Sequence, residues 1–160
     1  MAQTTVAMSS KNGVVEYSLD GSTFVLISGT ANSVTVSGGD RKSGEAYTAD
    51  GDTALIVSGK REPLEVTVKV LYTEAASTPN AFEDLRTVYL SGAGACVRWS
   101  PTAYTAVGSN RYTTASTAGT AAVGVITKFN FPSLDFASGD PIMVEFTVRC
   151  SAILSEEKSA

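Results

Sequence analysis

The chain has 160 residues, 43% of them hydrophobic and 18% charged, with twelve Lys and Arg against sixteen Asp and Glu and no histidine. That length suits one domain that buries its own core without a disulfide or a metal. The missing histidine excludes a Ser-His-Asp or Cys-His pair and a His-ligated zinc, two cysteines cannot close a four-thiolate site, and a net charge of −4 argues against a general nucleic-acid binder.

Residues 1–12 lack a basic stretch followed by an apolar run, so they are expected to be a flexible arm rather than a secretory signal. No segment reaches the roughly 18 apolar residues of a membrane span. None of the five asparagines opens an Asn-X-Ser/Thr acceptor. The default expectation is an intracellular soluble protein in which Cys96 and Cys150, both in predicted strands, stay reduced and buried; a bridge between them is the alternative.

Asp20-Gly21 stands between the strand-like runs Val14–Leu19 and Ser22–Ile27 and predicts a hairpin, because both central residues of a type I′ turn take positive φ. A short strand is expected at Ser33–Val36. Residues 38–52 are polar and have no helical or strand period, so they are expected to be a long loop of the kind that often binds something. Thr53–Ser58 reads as a strand and Gly59–Pro63 as a turn. The alternation over Leu64–Tyr72 then sets Leu64, Val66, Val68, Val70 and Tyr72 on one face and Glu65, Thr67 and Lys69 on the other.

One helix is predicted, over residues 79–91. Thr78 suits the N-cap and Pro79 the first helical position, Glu83 and Asp84 favour the positive end of the helix dipole, and Phe82, Leu85 and Tyr89 form an apolar stripe that ends before Gly92 and Gly94. Ala95–Ser100 reads as a strand, residues 102–120 as a loose hairpin or second loop, and Val123–Phe131 as a strand. Asp140-Pro141 is a turn, Ile142–Ala152 is the last strand, and residues 155–160 read as a polar tail. In that last strand Ile142, Val144, Phe146, Val148 and Cys150 share one face, and Met143, Glu145, Thr147 and Arg149 the other. The pattern is all-β with one flanking helix, an antiparallel β-sandwich or barrel, in a single domain over residues 13–154.

The two cleanest strands repeat one outer motif, Glu65-x-Thr67-x-Lys69 and Glu145-x-Thr147-x-Arg149. Paired antiparallel, each acid faces a base. Such a face is either a solvated sheet surface or the wall of a water-filled space. No catalytic signal accompanies it. Ser155-x-x-Lys158 lies in the tail, Gly59-Lys60 lacks the rest of a phosphate loop, Gly92-Ala93-Gly94 lacks the third glycine of a dinucleotide fingerprint, and Asp50-Gly51-Asp52 reads as a turn. Enzyme activity, cofactor and metal are therefore not expected.

Several segments are familiar together: Asp20-Gly21-Ser22-Thr23-Phe24, Ser28–Val34, Gly38–Tyr47, and Asp50-Gly51-Asp52 running into Gly59–Val68. With the Phe82-Glu83-Asp84-Leu85 helix and the closing strand to Cys150 in the same order, the chain resembles the major tail tube proteins of long-tailed, non-contractile bacteriophages. The likeness is strongest over residues 13–74 and collinear to about residue 154. The resemblance implies a fold shared in shape with contractile-tail and type VI secretion tubes. It implies hexameric rings whose sheets join edge to edge, stacked into a hollow tube that conducts viral DNA without binding it. The partners implied are further copies of the chain, a tape measure protein, a tail-tip initiator and a tail terminator. The location implied is the virion tail, after synthesis in the bacterial cytoplasm.

The long loop matches one that in this family reaches a neighbouring ring or subunit, which makes Asp40, Arg41, Lys42, Glu45, Tyr47, Asp50 and Asp52 the candidate contact residues. Candidates for the lumen are Glu65, Thr67, Lys69, Glu145, Thr147 and Arg149. Six copies carry about −24, which suits a wall that repels phosphate. The alternative is a β-sandwich binding module on a virion or cell-surface assembly that uses Trp99, Tyr104 and Tyr112 to contact carbohydrate or protein.

Overall fold

The computed structural model describes residues 10–49, 51, 53–73, 81–115 and 123–160. After a short 3-10 turn at Ser10–Asn12 come β1 (Val14–Ser18), β2 (Val25–Leu26), β3 (Ala31–Gly38), β4 (Arg41–Ala46), β5 (Leu55–Arg61) and β6 (Leu64–Leu71). The helix α1 (Ala81–Ser91) follows, then β7 (Gly94–Ser100), β8 (Asn110–Ala115), β9 (Gly124–Asn130), β10 (Met143–Cys150) and β11 (Ala152–Glu157). The architecture is all-β with one flanking helix, as the alternation predicts.

Two antiparallel layers enclose the core. One runs β3-β6-β10-β9 and the other β2-β1-β7-β8-β11. They join at two corners. β7 pairs with β8 through Arg98 and Trp99 but with β9 through Gly94 and Ala95. The chain also turns at Ser151, whose N–H bonds the Ala115 carbonyl, and so passes from β10 in one layer to β11 in the other.

The inward rows are the predicted ones. Val66, Val68 and Val70 of β6 and Val144, Phe146 and Val148 of β10 are buried and meet Tyr17 and Val97 of the second layer. The helix closes this core with Ala81, Leu85 and Val88, while Phe82 and Tyr89 are only partly buried. Phe82 and Tyr89 both pack on Phe129 of β9, at 5.1 and 5.7 Å between ring centroids. Tyr17 donates its hydroxyl to Asp84 at 2.7 Å and so ties β1 to the helix; burial, then Asp84, pushes its phenol well above the usual range. Thr78 and Pro79, expected to start the helix, lie outside the described residues.

Four expectations need correction. Asp20-Gly21 is not a two-residue turn. Tyr17 pairs with Val25, so the connection is longer, and of the two residues only Gly21 has positive φ. The Asp20 carboxylate organises the loop instead, accepting the N–H groups of Thr23 and Ser22 and the Ser18 hydroxyl, which together hold it well below the usual carboxylate range. Residues 38–52 are not one irregular loop, since Arg41–Ala46 form a strand on β5. Gly59–Pro63 is not all turn, since β5 continues to Arg61. Residues 155–160 are not a loose tail. β11 runs to Glu157 on β8, Ala152 is buried, and Lys158 exchanges backbone hydrogen bonds with Gly108 and Ser109. High charge density hid that strand, although Arg111 of β8 answers Glu156 across the pair at 2.5 Å. Cys96 and Cys150 are both buried and free, and burial pushes both thiols up.

Leu85→Ala, at a residue 1% exposed, is expected to cost about 2–5 kcal/mol in urea denaturation. Leu90→Ala, on the same helix but 63% exposed, should stay within about 0.5 kcal/mol. The depressed Asp20 carboxyl stabilises the fold in its ionised form. That contribution is complete above the unfolded value and fades as pH falls below it. Asp20→Ala should therefore be less stable than wild type at neutral pH, with a difference that shrinks in thermal melts as pH drops below about 4.

Candidate functional site

Register brings the lumen candidates together on one surface. Along β6 and β10, Lys69 stands opposite Glu145, Thr67 opposite Thr147, and Glu65 opposite Arg149. The flanking strands widen this surface into three rows. Ser33, Lys69, Glu145 and Asn130 form the first, Thr35, Thr67, Thr147 and Lys128 the second, and Ser37, Glu65, Arg149 and Val125 the third. In the middle row Thr67 and Thr147 hydrogen-bond through their hydroxyls at 2.9 Å, and Thr147 is buried rather than open to solvent. Lys128 donates to Glu145 at 2.9 Å, and the Arg149 guanidinium lies 3.9 Å from Glu65.

Sequence periodicity missed Lys128 because β9 carries a bulge. Ile126 pairs with Val148 and Lys128 with Thr147, which leaves Thr127 as the extra residue. The bulge resets the alternation, so Ile126 and Phe129 reach the core while Lys128 and Asn130 join the polar face. Two adjacent polar residues between buried apolar ones, Thr127-Lys128, were the available signal.

The charge of this face differs from the chain as a whole. Lys69, Lys128 and Arg149 stand against Glu65 and Glu145, a sum of +1 on a chain of −4. The acid excess is elsewhere, so a phosphate-repelling wall cannot be read from net charge onto these residues.

The sheet that carries this face has open edges. β3 pairs only with β6, and β9 meets β7 only at Gly124 and Val125, so Ile126–Asn130 have no strand on their outer side among the described residues.

The second feature is a projecting arm. β3 continues through Gly38–Asp40 into β4, and β5 continues through Glu62–Pro63 into β6, so the sheet-bound pair β3·β6 is prolonged by the separate pair β4·β5. The joint is stitched by the Gly39 N–H to the Pro63 carbonyl at 3.2 Å and the Glu62 N–H to the Asp40 carbonyl at 2.8 Å. Arg41 donates to the Gly59 carbonyl and Arg61 to the Gly39 carbonyl, at 3.1 and 3.4 Å. Asp40, Arg41, Lys42, Glu45 and Tyr47 all sit exposed on or beside this arm; Asp50 and Asp52 lie outside the described residues. The strongest apolar signal there was missed. Leu55, Ile56 and Val57 are consecutive and all more than half exposed, although alternation should hide one side of a strand.

The aromatic residues of the alternative reading are engaged within the chain. Trp99 packs on the core and lies 5.8 Å from Tyr112, and Arg111 covers the Tyr104 ring at 4.3 Å. Among the described residues no group of three or more His, Cys, Asp or Glu converges on a point that could hold a metal.

No protein-family model matches the chain, and no curated protein matches it either. Solved structures do. A chain of the anti-feeding prophage cap, the AFP tube terminating cap, superposes with a TM-score of 0.64 at 15% identity, over 99% of this chain and 96% of that one. A chain of the PVC sheath-tube complex, an extracellular contractile injection system in its extended state, gives 0.64 at 16%, over 98% and 100%. A chain of the tail of an empty GTA particle, refined with C6 symmetry, gives 0.62 at 10%, over 99% and 100%. The chain thus has a phage-tail-like fold. That likeness spans contractile injection systems and a GTA tail and does not single out the tubes of non-contractile phages.

Gly38 tests the joint. Its φ is +75°, and a Cβ there would stand 2.5 Å from the Pro63 carbonyl oxygen. Gly38→Ala should cost about 1–3 kcal/mol and speed proteolysis of the arm. Gly29→Ala, where a Cβ meets nothing within 4 Å, should do neither. Urea titration and limited proteolysis of both variants check this.

Proposed function

We propose that this chain is a structural subunit of a tail-like tube. It assembles with copies of itself into hexameric rings that stack, and it has no catalytic role. One observation carries the reading: a fully covering, phage-tail-like fold whose polar-faced sheet has two open edges. An exposed strand edge is an aggregation hazard in a monomer. It becomes useful when β3 of one copy pairs with β9 of the next and ring closure satisfies every edge. The six-fold and tube assemblies among the similar structures support the ring and its stacking.

In this arrangement the β3-β6-β10-β9 surface lines the lumen. Its hydroxyls and paired charges offer a hydrated wall with few isolated charges, and passing DNA meets neither a basic track nor strong repulsion. The β4·β5 arm is the element that reaches a neighbour. A tape measure, a tail-tip initiator and a terminator are the further partners this role requires.

A cap role is the second reading, because two similar structures are a tube terminating cap and a sheath/tube terminator. Negative-stain microscopy of the concentrated protein separates the possibilities. Hollow tubes are expected, nucleated by the tail-tip initiator if not spontaneous. Single rings that never stack would favour the cap. A monomer at every concentration and salt, with and without initiator, would overturn the proposal.

A further inference from the structure

Two exposed apolar features leave the polar-faced sheet at opposite ends. The arm departs where β3 ends at Gly38 and β6 begins at Leu64. The connection between β9 and β10, residues 131–142, departs from the other end, beside Leu71 and Asn130. The arm exposes Tyr47, Leu55, Ile56 and Val57, with Tyr47 and Ile56 each 72% exposed. The connection exposes Phe131, Leu134 and Phe136, the last 94% exposed. Phe131 packs its ring on Phe129 at 5.5 Å, while Leu134 and Phe136, like the apolar residues of the arm, stay exposed among the described residues, and exposed clusters of this kind mark contact sites.

Their charges are opposite. The root of the arm holds Arg41, Lys42, Lys60 and Arg61 against Asp40 and Glu62, a sum of +2. Residues 131–142 hold Asp135 and Asp140 with no base, a sum of −2. Among the described residues Asp135 and Asp140 are in no ion pair. Arg41 and Arg61 bond backbone carbonyls, Lys42 reaches Glu62 at 3.5 Å, and Lys60 is in no ion pair among the described residues. Each end also has a concavity. That at the arm root is about 600 Å³ and lined by Lys42, Lys60, Arg61 and Arg149 against Glu62 and Glu65; that at the far end is about 700 Å³ and lined by Leu134, Phe136, Asp135 and Asp140 against Lys69, so the first keeps a basic and the second an acidic excess.

We infer that residues 131–142 are the receptor for the arm of a second copy of this chain, so that copies join head to tail along the sheet direction. Asp135 and Asp140 meet the basic root, and Leu134 and Phe136 lie on the apolar arm. The contact is heterologous: donor and acceptor occupy opposite ends of one subunit, so it repeats without closing. Electrostatic complementarity sets its register, and apolar burial holds it. The inference rests on the tube reading and names the surfaces that stack one ring on the next.

The test uses the full chain under conditions where wild type forms tubes. Asp135→Lys with Asp140→Lys is expected to keep the wild-type circular dichroism melt and to form rings, with loss of tubes. Adding Lys60→Glu and Arg61→Glu should restore stacking. Separately, Ile56→Cys with Phe136→Cys in an otherwise unchanged chain should give disulfide-linked multimers on oxidation of the tubes, because the native thiols are buried. Unchanged tube length in the lysine variant, or tubes without intermolecular disulfides in the cysteine variant, would overturn this inference and leave the tube reading standing. Wild type that forms no polymer would overturn both.

Discussion

The structure depends on the register between β6 and β10. Eight consecutive pairs, from Leu64–Cys150 to Leu71–Met143, place every valine of β6 on the core side and every charged or hydroxyl residue on the other. A slip of one residue in β6 would turn that strand over against its neighbours. It would bury Glu65 and Lys69 on the side of Phe146 and expose Val66 and Val68 on the side of Glu145. The core beneath the helix and the continuous polar surface are two results of one alignment. β3 and β9 extend it outward, and β9 can do so because the Thr127 bulge restores its parity halfway along.

This dependence explains what was legible in the sequence. Strict alternation in Leu64–Leu71 and Met143–Cys150 exposed both strands, their faces and their acid-to-base pairing. The helix was legible from Leu85 and its spacing, although Ala81 and Val88 share its buried side. Legibility failed where a strand lacks a hidden face. β4 is exposed at every position, so no period marks it and only pairing with β5 makes it a strand; β5 reads as a strand over Thr53–Ser58, but its continuation to Arg61 reads as a turn. It failed again at β11, whose charges suggested a tail, and at Asp20-Gly21, where a side chain rather than backbone φ sets the turn. Lys128, Ser33, Thr35 and Ser37 could not be assigned to the polar face before the neighbours of β6 and β10 were known.

The same division separates what a subunit completes alone from what it leaves open. The core, the helix contact and the two corners at β7 and Ser151 are closed within the chain. The outer edges of β3 and β9, the arm and the 131–142 connection are not. Stability thus resides in the sandwich, while the proposed assembly would use backbone edges and exposed apolar residues at its margins. A substitution in one set should leave the other largely intact, because distant sites act additively.

The unbroken run from β3 through the arm and back to β6 has a kinetic consequence. Its pairings close over the arm alone, and within the arm over a short tip. The pairings of β6 with β10 and of β1 with β7 bridge far longer stretches: Thr67 meets Thr147 across 80 residues, and Glu16 meets Arg98 across 82. Loop-closure entropy makes distant pairings slow and nearby ones fast. The ribbon can therefore zip while the rest of the chain is still searching, and it gives β10 a template on which to align. The segment proposed to join one copy to the next would then also be among the first to take shape in the folding of each.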